Sequence, residues 1–239
     1  MLAKLDIEKV LFLDVETIPQ YPAYEKMPET TQALWDAKAK YLVKDDKAPK
    51  DVYQRAGIYA EFGRIICISV GILKEQKSKK IFRIKSFFGD DEKHLLSGFI
   101  TLLKKNYNTQ SHYLCAHNGK EFDFPYLARR MLINGLKLPK ILDLSGKKPW
   151  EVRHLDTLEL WKFGDRKHYT SLNLMTHIFN IPTPKDEMDG SDVWRMYWQE
   201  KGLLKIVNYC QKDVLATTQL LMRFRGEPLI DVSAVTVVE

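Results

Sequence analysis

Four carboxylic acids and one tyrosine are the residues of this chain whose types and spacing could do chemistry. They are Asp14, Glu16, Asp123, Tyr209 and Asp213. The first two interrupt a run of apolar residues, the third follows another apolar run and a polar corner, and the last two are four residues apart in an amphipathic helical pattern. Converging carboxylates repel one another unless a cation neutralises them. The set therefore predicts a divalent-metal site, of a kind that commonly acts on phosphate esters.

The spacing within each pair predicts a shared face. Asp14 and Glu16 are two residues apart on a predicted strand, where such residues point to the same side. Tyr209 and Asp213 are four apart on a predicted helix, where such residues are neighbours. Each signal alone also has an ordinary explanation: a loop cap at the strand end, a helix N-cap at Asp123, and a core tyrosine beside a solvated aspartate.

The composition is that of a soluble globular protein. The chain has 239 residues, of which 45% are hydrophobic and 28% charged, and 37 Lys and Arg against 31 Asp and Glu give a net charge of +6. A basic surface around an acidic, metal-loaded cleft suits a polyanionic substrate, although a mildly basic protein without such a substrate has the same balance. With no repeat, low-complexity tract or linker, we expect a single domain over residues 1–239.

The cysteines and the N-terminal segment indicate a cytoplasmic location. Cys67, Cys115 and Cys210 lie in apolar or helical contexts and form no CxxC pair, which predicts buried free thiols. Charged residues interrupt the first residues, so a signal-peptide core is not expected there. The longest apolar run is too short to cross a bilayer, which predicts no membrane association.

The predicted elements alternate in a way that indicates an α/β fold. Strands are expected at 9–16, 64–73, 81–88, 113–116 and 152–158. Helices are expected from residue 90 onwards and at 124–134, 172–179, 192–201 and 203–225, followed by an extended tail at 228–239. A proline-marked, largely helical insertion occupies about 18–60, with a helix at 30–43. This order predicts a mixed sheet with an antiparallel hairpin and parallel strands, flanked by helices.

The order of the three motifs resembles a known family. Asp-x-Glu, Asn-x3-Phe-Asp and Tyr-x3-Asp follow one another as in the DEDD superfamily of 3′–5′ exonucleases, whose fold is RNase H-like. Asn208 occupies the position of the histidine of a related branch, and Tyr209 matches the tyrosine (DEDDy) branch. The segments LFLDVETIP, EFGRIICISVGI and YLCAHNGKEFDFPYL resemble stand-alone relatives of the proofreading domain of family-B DNA polymerases. The resemblance extends from about residue 10 to about residue 225.

The resemblance implies a two-metal hydrolysis of phosphodiester bonds that releases nucleoside 5′-monophosphates from a 3′ end. Asp14 would bridge two Mg²⁺ or Mn²⁺ ions. Glu16 and Asp213 would complete the shell of the first ion, and Asp123 would hold the second. Tyr209 would orient the attacking water, since its ordinary pKa near 10 makes it a poor base at neutral pH. A structural Zn²⁺ is not expected, because no Cys/His cluster is visible in the sequence.

Five further residues are candidates for contact with the substrate or support of the site. Thr17, Asn118 and Phe122 are expected to contact the terminal nucleotide, where Phe122 either stacks on a base or packs in the core. Asp156 and Ser171 are expected to support the metal ligands without binding the metal.

A segment that interleaves basic and aromatic residues could follow a single nucleic-acid strand. Its alternative is a solvated loop. The residues are Lys147, Lys148, Trp150, Arg153, Phe163, Arg166, Lys167, His168 and Tyr169.

Single-stranded DNA is the substrate that the family resemblance favours. A 3′–5′ exoribonuclease on the same scaffold and a non-catalytic nucleic-acid-binding module are the alternatives. Proofreading would require a separate polymerase or repair partner, which the sequence does not identify.

Overall fold

The computed structural model describes residues 2–43, 47–76, 79–165, 169–182 and 188–238. Across these ranges the chain forms a six-stranded sheet with helices on both faces. The strands are β1 (Val10–Pro19), β2 (Gly63–Gln76), β3 (Lys79–Phe88), β4 (Tyr113–Ala116), β5 (Leu155–Asp156) and β6 (Val235–Val238). The helices are α1 (Glu29–Ala39), α2 (Glu92–Asn106), α3 (Asp123–Ile133), α4 (Thr157–Lys162), α5 (Leu172–Ile178), α6 (Val193–Trp198) and α7 (Leu203–Phe224).

The sheet is mixed, as the sequence predicts. Its strand order is β5-β4-β1-β2-β3-β6. β2 pairs antiparallel with both β1 and β3, whereas the β1–β4, β4–β5 and β3–β6 pairs are parallel. The predicted RNase H-like α/β architecture, an antiparallel hairpin joined to parallel strands between helices, is therefore confirmed.

Alternation along β1 decides which helices each residue meets. Leu11, Leu13 and Val15 pack into a core formed with α2 and α3. Val10 and Phe12 point the other way, into a core formed with α7. Because side chains alternate along a strand, the next residues on the α7 side are the acidic Asp14 and Glu16. The strand thus turns from apolar to acidic on the face that α7 covers.

Two predicted boundaries are wrong for local reasons. The strand expected at 152–158 is reduced to Leu155–Asp156, because the Asp156 carboxylate accepts hydrogen bonds from the backbone N–H groups of Leu158 (2.9 Å) and Glu159 (3.3 Å) and so starts α4. The helix expected at 192–201 ends at Trp198. Lys201 then takes a left-handed conformation, with φ of 56°, just before α7.

The segment between β1 and β2 has an apolar cluster of its own. The strand takes the first two residues of the predicted insertion and ends at Pro19, and the helix expected at 30–43 spans Glu29–Ala39. A 3₁₀-helix, Pro49–Ile58, follows it. The buried Trp35 packs edge-on against Tyr53 and donates from its indole Nε1 to the Pro49 carbonyl oxygen at 3.0 Å. These contacts fix the 3₁₀-helix relative to α1.

A buried ion pair joins this segment to both α2 and α3. Arg130 donates from Nε to the Glu92 carboxylate at 2.8 Å and from Nη1 to the Ala60 carbonyl oxygen at 2.8 Å. Glu92 also accepts from the backbone N–H of Ile65 at 2.7 Å. Every charge in the group has a partner, which is the condition under which a buried pair is tolerated.

The C-terminal segment also joins the sheet. β6 pairs in parallel register with β3, from Phe82 opposite Val235 to Lys85 opposite Val238. The extended conformation predicted for the tail is confirmed over these residues, and the strand covers the edge of β3.

Candidate active site

The end of β1 presents two carboxylates to α7. Glu16 is only 6% exposed. One carboxylate oxygen each of Asp14 and Glu16 lies within 4.8 Å of the other and of the Cys210 Sγ on α7. The β1–β2 register shifts between Glu16 and Thr17. Such bulges redirect side chains at the end of a strand, and here Thr17 also lines the cleft beside the acids.

Asp123 is the first residue of α3 and is 3% exposed. The N-cap position belongs to Phe122, which makes no side-chain capping bond, so the ordinary N-cap explanation for Asp123 does not apply. Its Oδ1 is buried without a hydrogen-bond partner among the described residues, as is Oδ2 of Asp14. Buried carboxylate oxygens without a partner are costly, so both atoms are suited to a ligand from outside the described chain.

Tyr209 and Asp213 lie one turn apart on α7 and line the same cleft. The Tyr209 hydroxyl donates a hydrogen bond to Asp213. Burial, together with the charges of Asp213 and Glu16, raises the pKa of Tyr209 above its ordinary value. The hydroxyl therefore stays protonated and acts as a donor, and its role toward an attacking water stays a prediction.

The acids raise one another's pKa values. Burial and the charges of Asp213 and Asp123 raise the pKa of Asp14 well above its usual range, and burial and the charge of Asp14 do the same for Glu16. Burial and the charge of Asp156 raise the pKa of Asp123 to about 8. A divalent cation would relieve this repulsion and would supply partners for the buried oxygens, so the donor set fits such an ion.

Cys210 lies beside the acids but is a poor ligand for a hard cation. Burial raises the pKa of its thiol well above the ordinary value. The protonated thiol donates to the backbone carbonyl oxygen of Asp14 at 3.4 Å. Mg²⁺ and Mn²⁺ prefer oxygen ligands, and the bond from Cys210 links α7 to the backbone of β1. All three cysteines are buried and unpaired, as predicted.

One cleft of about 540 Å³ brings most of the predicted residues together. It is lined by all four acids and Tyr209, and by the three predicted substrate-contacting residues, Thr17, Asn118 and Phe122. Phe122 packs against Tyr126, with ring centroids 5.3 Å apart, and also faces the cleft. Of the two alternatives for Phe122, the structure shows packing against a neighbouring ring, and stacking on a base stays a prediction.

Asp156 holds the corner that carries Asn118. Its carboxylate accepts from the backbone N–H of Asn118 at 2.9 Å and from that of Lys120 at 3.0 Å. Asn118 has a left-handed backbone, with φ of 62°, and these bonds stabilise that conformation. Ser171 is placed differently, because its hydroxyl accepts from the Leu174 N–H at 3.2 Å and caps α5. Among the described residues that line the cleft, Ser171 is not included.

The basic and aromatic segment contributes only one described residue to the cleft. Tyr169 lines it, whereas Trp150 and Phe163 are exposed elsewhere. Lys148 lies over the Trp150 ring, with its Nζ 5.3 Å from the centroid. The described residues do not include Arg166, Lys167 and His168. The contacts of the remaining residues do not test whether the segment follows a nucleic-acid strand.

The structure adds cleft residues that sequence reasoning missed. Among them are Gln54, Arg55, Ile58, His117 and Trp194. His117 directly follows β4 and precedes Asn118, a position that could have indicated its location. Its ring bonds the Thr157 hydroxyl and the Thr170 carbonyl oxygen, each at 2.9 Å, and burial lowers its pKa. No sequence signal placed the first three, which belong to the segment between β1 and β2.

Comparison with known proteins adds to the motifs and the cleft. A family described as predicted 3′–5′ exonucleases related to the exonuclease domain of PolB matches residues 58–227. The chain belongs to this family. The part matched to this PolB-related exonuclease family contains Asp123, Tyr209 and Asp213 and begins after Asp14 and Glu16.

Parts of archaeal DNA polymerases are similar to this chain. A DNA polymerase of Pyrococcus glycovorans is 24% identical over 165 residues, which cover 59% of this chain and 20% of the polymerase. One of Pyrococcus horikoshii is 23% identical over 201 residues, or 72% of this chain and 16% of the polymerase. The chain thus spans about a fifth or less of these relatives, and the predicted resemblance to family-B exonucleases is confirmed.

Among the helices in the described part of this family member, none combines the length and apolar character needed to cross a bilayer.

Proposed function

We propose that this protein is a metal-dependent 3′–5′ exonuclease that hydrolyses single-stranded DNA to nucleoside 5′-monophosphates. The observation that carries the proposal is the convergence of Asp14, Glu16, Asp123 and Asp213 in one cleft, with buried oxygens of two of them lacking partners. The family match supports the reaction class and the polarity of the reaction. DNA as the substrate is supported by the DNA polymerases among the relatives.

The four carboxylates would hold Mg²⁺ or Mn²⁺, two ions according to the family resemblance. When bound, such ions neutralise charge on the phosphate and lower the pKa of the attacking water. Asp14 and Glu16 offer carboxylate oxygens within 4.8 Å of each other, and bound cations would reduce the repulsion that these two acids share with Asp213. The buried and partly buried positions of the acids limit competition from bulk water for the same oxygens.

Tyr209 positions the nucleophile. Its protonated hydroxyl donates a hydrogen bond to Asp213 in the free protein, and in the complex it would orient the attacking water. In the same cleft Thr17, Asn118 and Phe122 would receive the terminal nucleotide, with the corner at Asn118 held by Asp156. The amide of Asn118 would then bond the last base or sugar, and the ring of Phe122 would stack on the base.

Labelled oligonucleotides test the proposal. In Mg²⁺ or Mn²⁺, a 5′-labelled single-stranded DNA is expected to give a ladder of shortened products, and a 3′-labelled one is expected to release its label first as a mononucleotide. A chelator should stop both reactions. Asp14→Asn should reduce the rate about a thousandfold or more, since loss of a metal-bridging carboxylate removes several kcal/mol of transition-state stabilisation. Internal cleavage, or full activity of Asp14→Asn, would contradict the proposal.

Matched RNA and DNA strands separate the main alternative. Faster shortening of RNA than of DNA would favour the alternative that the protein is a 3′–5′ exoribonuclease on the same scaffold. A non-catalytic binding module predicts that both strands bind while neither is shortened in any metal. The presence of all four acids in the cleft favours a catalytic protein over a non-catalytic binding module.

A further inference from the structure

The 3₁₀-helix Pro49–Ile58 forms one wall of the catalytic cleft. Gly57 approaches the end of β1 so closely that an added Cβ would lie 3.1 Å from Ile18 and Pro19 backbone atoms. The Gly57 carbonyl oxygen also accepts a hydrogen bond from the Tyr126 hydroxyl at 2.7 Å. The helix is therefore held against both β1 and α3, next to the carboxylates.

The two faces of this 3₁₀-helix differ. Residues three apart on a 3₁₀-helix share a face. Tyr53 and Ala56 share one face and are buried in the cluster around Trp35. The Tyr53 hydroxyl donates to the Tyr21 carbonyl oxygen at 3.1 Å. Arg55 and Ile58 share the other face, are exposed, and line the cleft.

Arg55 has no ion-pair partner in the part of the chain that the structure describes, although four carboxylates line the same cleft. It is also the one lysine or arginine among the described residues of the cleft lining. A guanidinium that faces an acidic cleft without pairing to its acids is available to an anion. In a cleft for a nucleic-acid strand, that anion is a backbone phosphate.

We propose that the segment between β1 and β2 is a substrate-binding wall, in which Arg55 binds a phosphate other than the one that is cleaved and Ile58 contacts the adjoining sugar or base. This inference rests on the proposed nuclease function and gives the segment a role in it. Arg55 is a binding residue for the strand, and it acts on substrates that extend beyond the scissile bond.

Arg55→Gln tests the role of the cation. The exposed side chain makes the variant compatible with folding, and thermal unfolding checks this. Binding of fluorescein-labelled oligothymidylate in Ca²⁺ is expected to weaken about tenfold to a hundredfold, because a charge-assisted bond to phosphate is lost. The slope of log affinity against log salt should fall by about 0.7, the value for one phosphate contact on a single strand. Arg55→Lys should keep the salt slope.

Two controls isolate the effect. Arg129→Gln removes an equal charge from an exposed position of α3 outside the cleft lining and should leave affinity and slope unchanged. The p-nitrophenyl ester of thymidine 5′-monophosphate has no flanking phosphate, so Arg55→Gln should lower kcat/KM for this ester by a smaller factor than it lowers the affinity for oligothymidylate. Wild-type affinity and slope in Arg55→Gln would overturn the inference. Failure of the wild type to hydrolyse either substrate would instead overturn the nuclease function, and the binding comparison would still report on Arg55.

Discussion

Replacing Asp123 with asparagine is expected to stabilise the metal-free protein at neutral and higher pH. Burial, aided by the charges of Asp156 and Asp213, raises the pKa of Asp123 from 3.8 to about 8. A carboxyl whose folded-state pKa is raised contributes stability that is complete below its unfolded-state pKa and is lost as pH rises through the folded-state value. For Asp123 this window runs from 3.8 to about 8.

The expected magnitude follows from the width of that window. Within it, each pH unit lowers the free energy of unfolding by about 1.4 kcal/mol per group. Between about pH 6 and about pH 8, the wild type therefore loses about 2 kcal/mol through Asp123, once its partial ionisation at the upper end is included. Asparagine has nearly the same shape and does not titrate. The stability advantage of Asp123→Asn over the wild type should grow by about 2 kcal/mol or more, because the charge of Asp123 also raises the pKa values of Asp14 and Glu16.

Urea unfolding in a chelator, followed by tryptophan fluorescence across this pH range, measures the effect. The difference between variant and wild type cancels the contribution of the buried histidines to the pH dependence of stability. One of them is His154, whose pKa is lowered by burial to about 4. Adding Mn²⁺ at about a hundredfold excess over Kd should restore about 2.7 kcal/mol to the wild type and less to the variant. A difference that does not change with pH, or a variant that is less stable throughout, would refute the electrostatic account of the site.

Other changes have defined outcomes. Tyr209→Phe should lower kcat on single-stranded DNA about tenfold, less than Asp14→Asn, because one orienting hydrogen bond is lost; an unchanged initial rate would exclude a role for the hydroxyl. Glu92→Gln should lower the free energy of unfolding by about 3–5 kcal/mol, because Arg130 would be buried without its charged partner. Urea unfolding at neutral pH measures this change, and an unchanged free energy would show that the ion pair is dispensable. Gly71→Ala should cost about 1–3 kcal/mol, since its Cβ would lie 2.2 Å from the Phe82 ring; a wild-type Tm would show that the ring can move.

The arrangement within each motif was predictable because it depends on local periodicity. Alternation along β1 puts Asp14 and Glu16 on one face, and the helical turn does the same for Tyr209 and Asp213. The convergence of these two pairs with Asp123 depends on the tertiary structure. The family resemblance, and not the spacing of any one motif, is what allowed the sequence to predict it.

The cleft wall at Arg55 could not be predicted from local pattern. Its position depends on the packing of Tyr53 against Trp35 and on the close approach of Gly57 to β1. Neither contact has a periodic signature in the sequence. The length of β5 was predicted wrongly for a different reason. The apolar pattern around Asp156 favours a strand, but the side chain of Asp156 caps the helix that follows.

The four carboxylates of the cleft are expected to form a binding site for divalent cations, and Mn²⁺ binding tests this most directly. Electron paramagnetic resonance of free Mn²⁺ during a titration counts the ions bound by the protein. The account predicts about two ions for the wild type, and loss of tight binding in Asp14→Asn. Equal Mn²⁺ binding by the wild type and Asp14→Asn, or none by either, would contradict it.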